Sequence, residues 1–77
     1  MSVDELAGLS IGSRLQTIRM RKGKTRAVVA GLVGRTDEWL KAVERGRLQE
    51  PRWPMLVQLA SALGVHIAEI TGDTSAA

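Results

Sequence analysis

Eleven lysines and arginines are the side chains of this 77-residue chain with the most evident chemistry, and all of them fall between Arg14 and Arg52. Four carboxylates, Asp37, Glu38, Glu44 and Glu50, share that stretch and leave it a surplus of seven positive charges. The flanks hold Asp4, Glu5, Glu69 and Asp73 and no base. Clustered cations attract phosphate over about a Debye length, so a basic middle between acidic ends suggests a polyanion-facing surface. A set of solvated helix faces fits the same charges, and charge alone leaves both readings open. Little else is equipped for chemistry. His66 and Glu69 stand one helical turn apart, yet two ligands without a third make no zinc site, and His66 reads better as an exposed residue in a helix's first turn. Gly31 to Gly34 lacks the Lys-Ser/Thr ending of a phosphate loop. No enzyme activity, metal or cofactor is expected.

The frame that must position these charges is small. A chain of this length is about one domain and buries only roughly 60% of the surface it exposes unfolded. With no Cys, helix packing alone has to supply stability. No apolar run approaches ~18 residues, and the N-terminus lacks a basic start followed by an apolar stretch. The most amphipathic stretch, 54–63, has no Lys or Arg on its polar face, which argues against a membrane-surface helix. The expectation is a soluble, cytoplasmic protein with no membrane partner.

Apolar spacing divides the chain into helices. Residues 1–10 read as an N-terminal arm, with Val3, Leu6 and Leu9 enough for one helical turn. Ile11, Leu15 and Ile18 predict a first helix over 11–22, between Ser10 as N-cap and Gly23 as stop. Thr25 caps a second, running to Val33 with Val29, Ala30 and Val33 inward, before Gly34 turns the chain. Thr36 caps a third, with Asp37 and Glu38 complementing the dipole, Leu40 and Val43 inward, and Arg45-Gly46 closing it. Residues 46–53 read as a loop, and Pro54 opens a fourth helix with Leu56, Leu59, Ala60 and Leu63 as its core stripe. A last short helix over about 66–70 contributes Ile67 and Ile70, and 73–77 reads as a flexible tail or linker. No period-two alternation is long enough for a strand.

The segment RAVVAGLVGRTDEWLKAVER, Arg26 to Arg45, is the most informative. Two helices joined by a tight turn need a small residue at their crossing, Gly at the turn and branched apolar residues behind the second helix. Ala30, Gly34, Leu40 and Val43 supply these at the spacing of a helix-turn-helix, although many helical hairpins share it. With IGSRLQTIRMRKGKT before it and VERG and EPRWPMLVQLASALGV after it, the chain resembles the lambda-repressor-like, or XRE, family from Ile11 to Gly72. The last block is similar to phage repressor N-terminal domains. The resemblance implies an all-α, compact five-helix DNA-binding domain over 11–72, a transcriptional regulator, repressor-like, that sits as a homodimer on an inverted-repeat operator.

Site residues follow from that resemblance by position. Arg19 and Glu44 fall where relatives form an internal salt bridge. Arg26 stands at a position usually held by a phosphate-contacting Gln that also braces a recognition side chain; Arg suits the phosphate better than the bracing. Thr36 occupies the cap whose hydroxyl and amide meet a phosphate. Arg52, beside Pro51, matches an arginine that approaches the minor groove, and Arg45 and Arg47 complete the phosphate-binding set. Base reading falls to the outer side of the third helix, Asp37, Glu38, Trp39, Lys41 and Ala42, with the helix over 36–45 in the major groove. Glu38 could accept from a cytosine amino group or merely complement the dipole and pair with Lys41.

Other departures from the family point elsewhere. Val28 and Leu32 lie where relatives are usually polar, and with Trp39 they could form an apolar patch for a protein partner or a missing C-terminal domain. A protein-interaction or antitoxin-like module is therefore the alternative function. They could equally tuck into the fold. Lys24 and Arg35, both at usually apolar positions, are expected to be solvated with their stems over the core's edges. Trp53 is expected in the core, leaving Met55 and the 46–53 loop as dimer contacts.

Overall fold

The computed structural model describes residues 8–72, which form five helices: α1 (Ile11–Arg21), α2 (Arg26–Leu32), α3 (Asp37–Glu44), α4 (Trp53–Leu63) and α5 (Ile67–Thr71). The expected turn in the arm and the tail lie outside the described residues, apart from Gly8, Leu9 and Ser10. Hydroxyl caps start the first three helices. Ser10, Thr25 and Thr36 each have extended backbone and accept from the amide three residues on, those of Ser13, Val28 and Trp39. Such a bond satisfies one of the donors a helix start leaves unpaired.

Left-handed glycines stop the helices. At the α2–α3 turn, Gly34 has φ +72°. Its amide donates to Gly31 O at 3.2 Å and the Arg35 amide to Ala30 O at 2.8 Å, the paired bonds of a Schellman closure. Gly46 closes α3 in the same way, with its own amide on Val43 O and that of Arg47 on Ala42 O.

One core joins the five elements: Leu15 and Ile18 from α1, Val29, Ala30 and Val33 at the end of α2, Leu40 and Val43 from α3, Leu56, Leu59, Ala60 and Leu63 from α4, and Ile70 from α5. Ile11 and Ile67, expected inside, are partly buried against it. The crossing of α1 over the end of α3 depends on Gly12, where a Cβ would lie 3.0 Å from Glu44 O and nearer still to Val43 O. Sequence spacing had placed the small residue only at the α2–α3 crossing, at Ala30, so this second close approach is an addition.

Several expectations change. Lys22 caps α1 rather than belonging to it, and His66 caps α5. The fourth helix begins at Trp53, so Pro54 is its second residue; Leu56 N donates to Arg52 O at 3.0 Å, which fixes the start at Arg52. Proline is tolerated there because that amide too has no intrahelical acceptor. Trp53 is 60% exposed and not in the core. It stands on the same side of α4 as the exposed Val57, one turn on, while the inward positions are filled by three leucines and Ala60. Met55 packs partly buried against the core and also lines an open recess.

Candidate nucleic-acid interface

The inner side of α3 is pinned and its outer side is open. Leu40 and Val43 are buried in the core and Glu44 is buried by ion pairing. Asp37, Glu38 and Arg45 are exposed, and Lys41 and Ala42 are half-buried between the two sides. No segment among the described residues covers the acidic start of the helix. Asp37 and Glu38 lie in the first turn, where a carboxylate complements the positive end of the dipole. The Glu38–Lys41 pair, one of the two readings of Glu38, does not form: Glu38 is exposed and Lys41 half-buried, and a lone surface pair contributes little.

Trp39 departs from the outer set. It is partly buried against the core, with the Arg35 guanidinium carbon 5.3 Å from its ring centroid, a cation–π arrangement. Arg35 is exposed, as expected, with its guanidinium over the aromatic ring. The two residues line an open recess of about 410 Å³ together with Pro51, Arg52 and Pro54. The expected apolar patch is reduced: Val28 and Leu32 are 53% and 62% exposed, one turn apart on α2, whereas Trp39 is partly buried against the core.

The cations expected to bind phosphate flank α3. Arg45 caps its C-terminus and Arg47 follows in the closing turn, both exposed and both complementing the negative end of the dipole. Arg52 is exposed at the N-cap of α4, without a side-chain capping bond. Thr36 is exposed at the N-cap of α3, its hydroxyl accepting from Trp39 N at 3.1 Å.

Arg19 and Arg26 both turn to Glu44. Arg19 Nε donates to Glu44 Oε2 at 2.7 Å and Nη2 to Oε1 at 3.1 Å, in fork geometry. Arg26 Nε donates to Oε1 at 2.9 Å. Spacing offered no signal for this third member, because eighteen residues separate it from Glu44. Away from this face, His66 Nδ1 accepts from Ala68 N and Glu69 Oε2 accepts from His66 N, so this pair serves to start α5. No group of three or more His, Asp or Glu able to hold a metal occurs among the described residues, and no described helix is long and apolar enough to cross a membrane.

A short helix, a glycine-closed turn and a second helix pinned by its inner side define a helix-turn-helix domain. The family described as "Helix-turn-helix domain" matches residues 10–71, and the chain belongs to it, in its lambda-repressor-like, XRE-type form. The chain is 36% identical over 64 residues to y4dJ of Sinorhizobium fredii, an uncharacterised HTH-type transcriptional regulator, covering 83% of this chain and 82% of that one. It is also similar to the crystal structure of the restriction-modification controller protein C.AhdI from Aeromonas hydrophila. That likeness has a TM-score of 0.72 at 30% identity and covers 78% of this chain and 86% of C.AhdI.

Proposed function

We infer that this DNA-binding transcriptional regulator reads a specific duplex sequence by laying the 36–45 segment in the major groove. The observation that carries the reading is the two-sidedness of α3: Leu40, Val43 and Glu44 are locked inside while Asp37, Glu38 and Arg45 face outward. In this reading Asp37, Glu38, Lys41 and Ala42 meet base edges. Trp39, half-buried beneath Arg35, supports that surface from its edge more than it reads bases. Arg26, Thr36, Arg45, Arg47 and Arg52 grip phosphates. A homodimer on an inverted repeat would set two copies of α3 about 34 Å apart, one turn of DNA. No role as an enzyme is proposed, and a regulator of this kind works in the cytoplasm.

Anisotropy titrations of a random-sequence duplex pool at two salt concentrations test it. Each phosphate neutralised contributes about −0.9 to the slope of log K against log salt, so affinity should fall steeply as salt rises. Salt-independent or absent binding contradicts the reading. The exposed Val28 and Leu32 favour a second one, a protein-interaction or antitoxin-like module. Binding of a protein partner that tolerates salt, and that is lost in Val28→Ser with Leu32→Ser, is its signature.

A further inference from the structure

Glu44 is the one carboxylate among the described residues whose side chain is wholly withdrawn from water, and two cations converge on it. Arg19 is fully committed inside the fold, since its Nη1 donates to Lys24 O at 2.8 Å while the other two nitrogens hold Glu44. Arg26 is not. Only its Nε is engaged, 24% of its side chain lies in solvent, and its two terminal nitrogens have no partner among the described residues. Two guanidiniums on one buried carboxylate leave a net positive charge, and the charge left over resides on the arginine with its outer edge open.

We propose that Glu44 is a positioning residue for DNA binding: it holds Arg26 by Nε so that Nη1 and Nη2 present their donors to a backbone phosphate. The proposal rests on the reading that this chain binds duplex DNA. An unrestrained arginine loses rotamer freedom when it grips a phosphate, whereas one already held loses that freedom during folding. Glu44 is also the last residue of α3, next to Arg45, so the same carboxylate ties the phosphate grip of α2 to the end of the reading helix. Arg19 alone neutralises the buried carboxylate, so Arg26 can hold Glu44 by Nε and still carry a full charge to a phosphate. The arginine serves both.

The test measures binding of a fixed duplex by the full chain across a salt series, for the wild type, Arg26→Ala, Arg26→Lys, Glu44→Gln and the double variant Arg26→Ala/Glu44→Gln, with folding checked by circular dichroism. Arg26→Ala should lose roughly tenfold in affinity and flatten the salt slope by about 0.9, the share of one phosphate. Arg26→Lys should do nearly the same, because one ammonium cannot hold Glu44 and a phosphate together. Folded Glu44→Gln should lose affinity while keeping most of the salt slope, because Arg26 keeps its charge but not its charged anchor, and the double variant should lose no more than Arg26→Ala alone. Arg47→Ala serves as a control whose effect should multiply with that of Glu44→Gln. Wild-type affinity and slope in Arg26→Lys would overturn the proposal, as would multiplication of the Arg26→Ala and Glu44→Gln effects. Arg26→Lys decides the matter alone if Glu44→Gln does not fold. A wild type with no salt-dependent duplex affinity sinks the DNA reading itself, a distinct failure.

Discussion

Gly12 of α1 lies so close to the Val43 carbonyl of α3 that there is no room for a methyl group between them. Its buried backbone sets how nearly α1 can approach α3. Gly12→Ala should therefore cost about 1–3 kcal/mol, the usual range for overpacking, despite alanine's better helix propensity. Gly31→Ala, in α2, meets nothing within 4 Å and should stabilise by roughly 0.5–1 kcal/mol. Thermal or urea unfolding of the two variants checks the opposite signs; equal effects would refute the close crossing.

Removing Glu44 strands two arginines. Glu44→Ala should destabilise the domain by about 3–5 kcal/mol, the range for breaking a buried pair by deleting one partner. Arg26→Ala should cost clearly less, because the Arg19–Glu44 fork stays intact and Arg26 is part-exposed. Urea midpoints of the two variants measure the difference, and a Glu44→Ala as stable as Arg26→Ala would contradict the geometry.

Thr36 has a cap to lose before any DNA arrives. Thr36→Ala removes the acceptor for Trp39 N and should cost about 1 kcal/mol in unfolding free energy. It should also weaken duplex binding, while Thr36→Ser retains most of both. Unfolding and anisotropy on the same preparations separate the two effects; unchanged stability in Thr36→Ala would remove the cap.

Arg47 and Arg52 divide from Glu38 by what they change. Arg47→Ala and Arg52→Ala should lower affinity for all duplexes alike and flatten the salt slope by about 0.9 each. Glu38→Gln should instead shift which sequence is preferred, a change of roughly 1–3 kcal/mol in discrimination when one base contact is altered. Selection from a random pool with each variant tests the split. An unchanged preference in Glu38→Gln would leave that carboxylate as a dipole partner alone.

Much of the architecture was legible because small helices announce themselves. Within each helix the apolar positions recur at three- and four-residue spacing, Leu15 and Ile18, Val29 and Val33, Leu40 and Val43, Leu56, Leu59 and Leu63, and all are buried, while Ser10, Thr25 and Thr36 stand where caps are needed. What spacing along one helix cannot carry is contact between helices. Gly12 reads as an ordinary glycine until α3 is laid across it, and Arg26 reads only as a phosphate contact until Glu44 is brought beside it. Trp53 was misplaced for a related reason. The resemblance implies an aromatic or large apolar residue packed into the domain there, but at the first turn of α4 the inward positions are filled from Leu56 onward. On the outer face of α3 helical spacing places Asp37 and Glu38 outward, as found, but it does not show that Trp39 is partly buried against the core, because that depends on the neighbouring elements.

Guanine N7 protection on a duplex selected from a random pool tests the entry of α3 into the major groove most directly, because that atom is reached only there. Protection in two half-sites centred about 10–10.5 base pairs apart, lost when Glu38 and Lys41 are both replaced by alanine, is the predicted result. Tight binding with every guanine N7 left reactive, or a pattern indifferent to those two replacements, would contradict it.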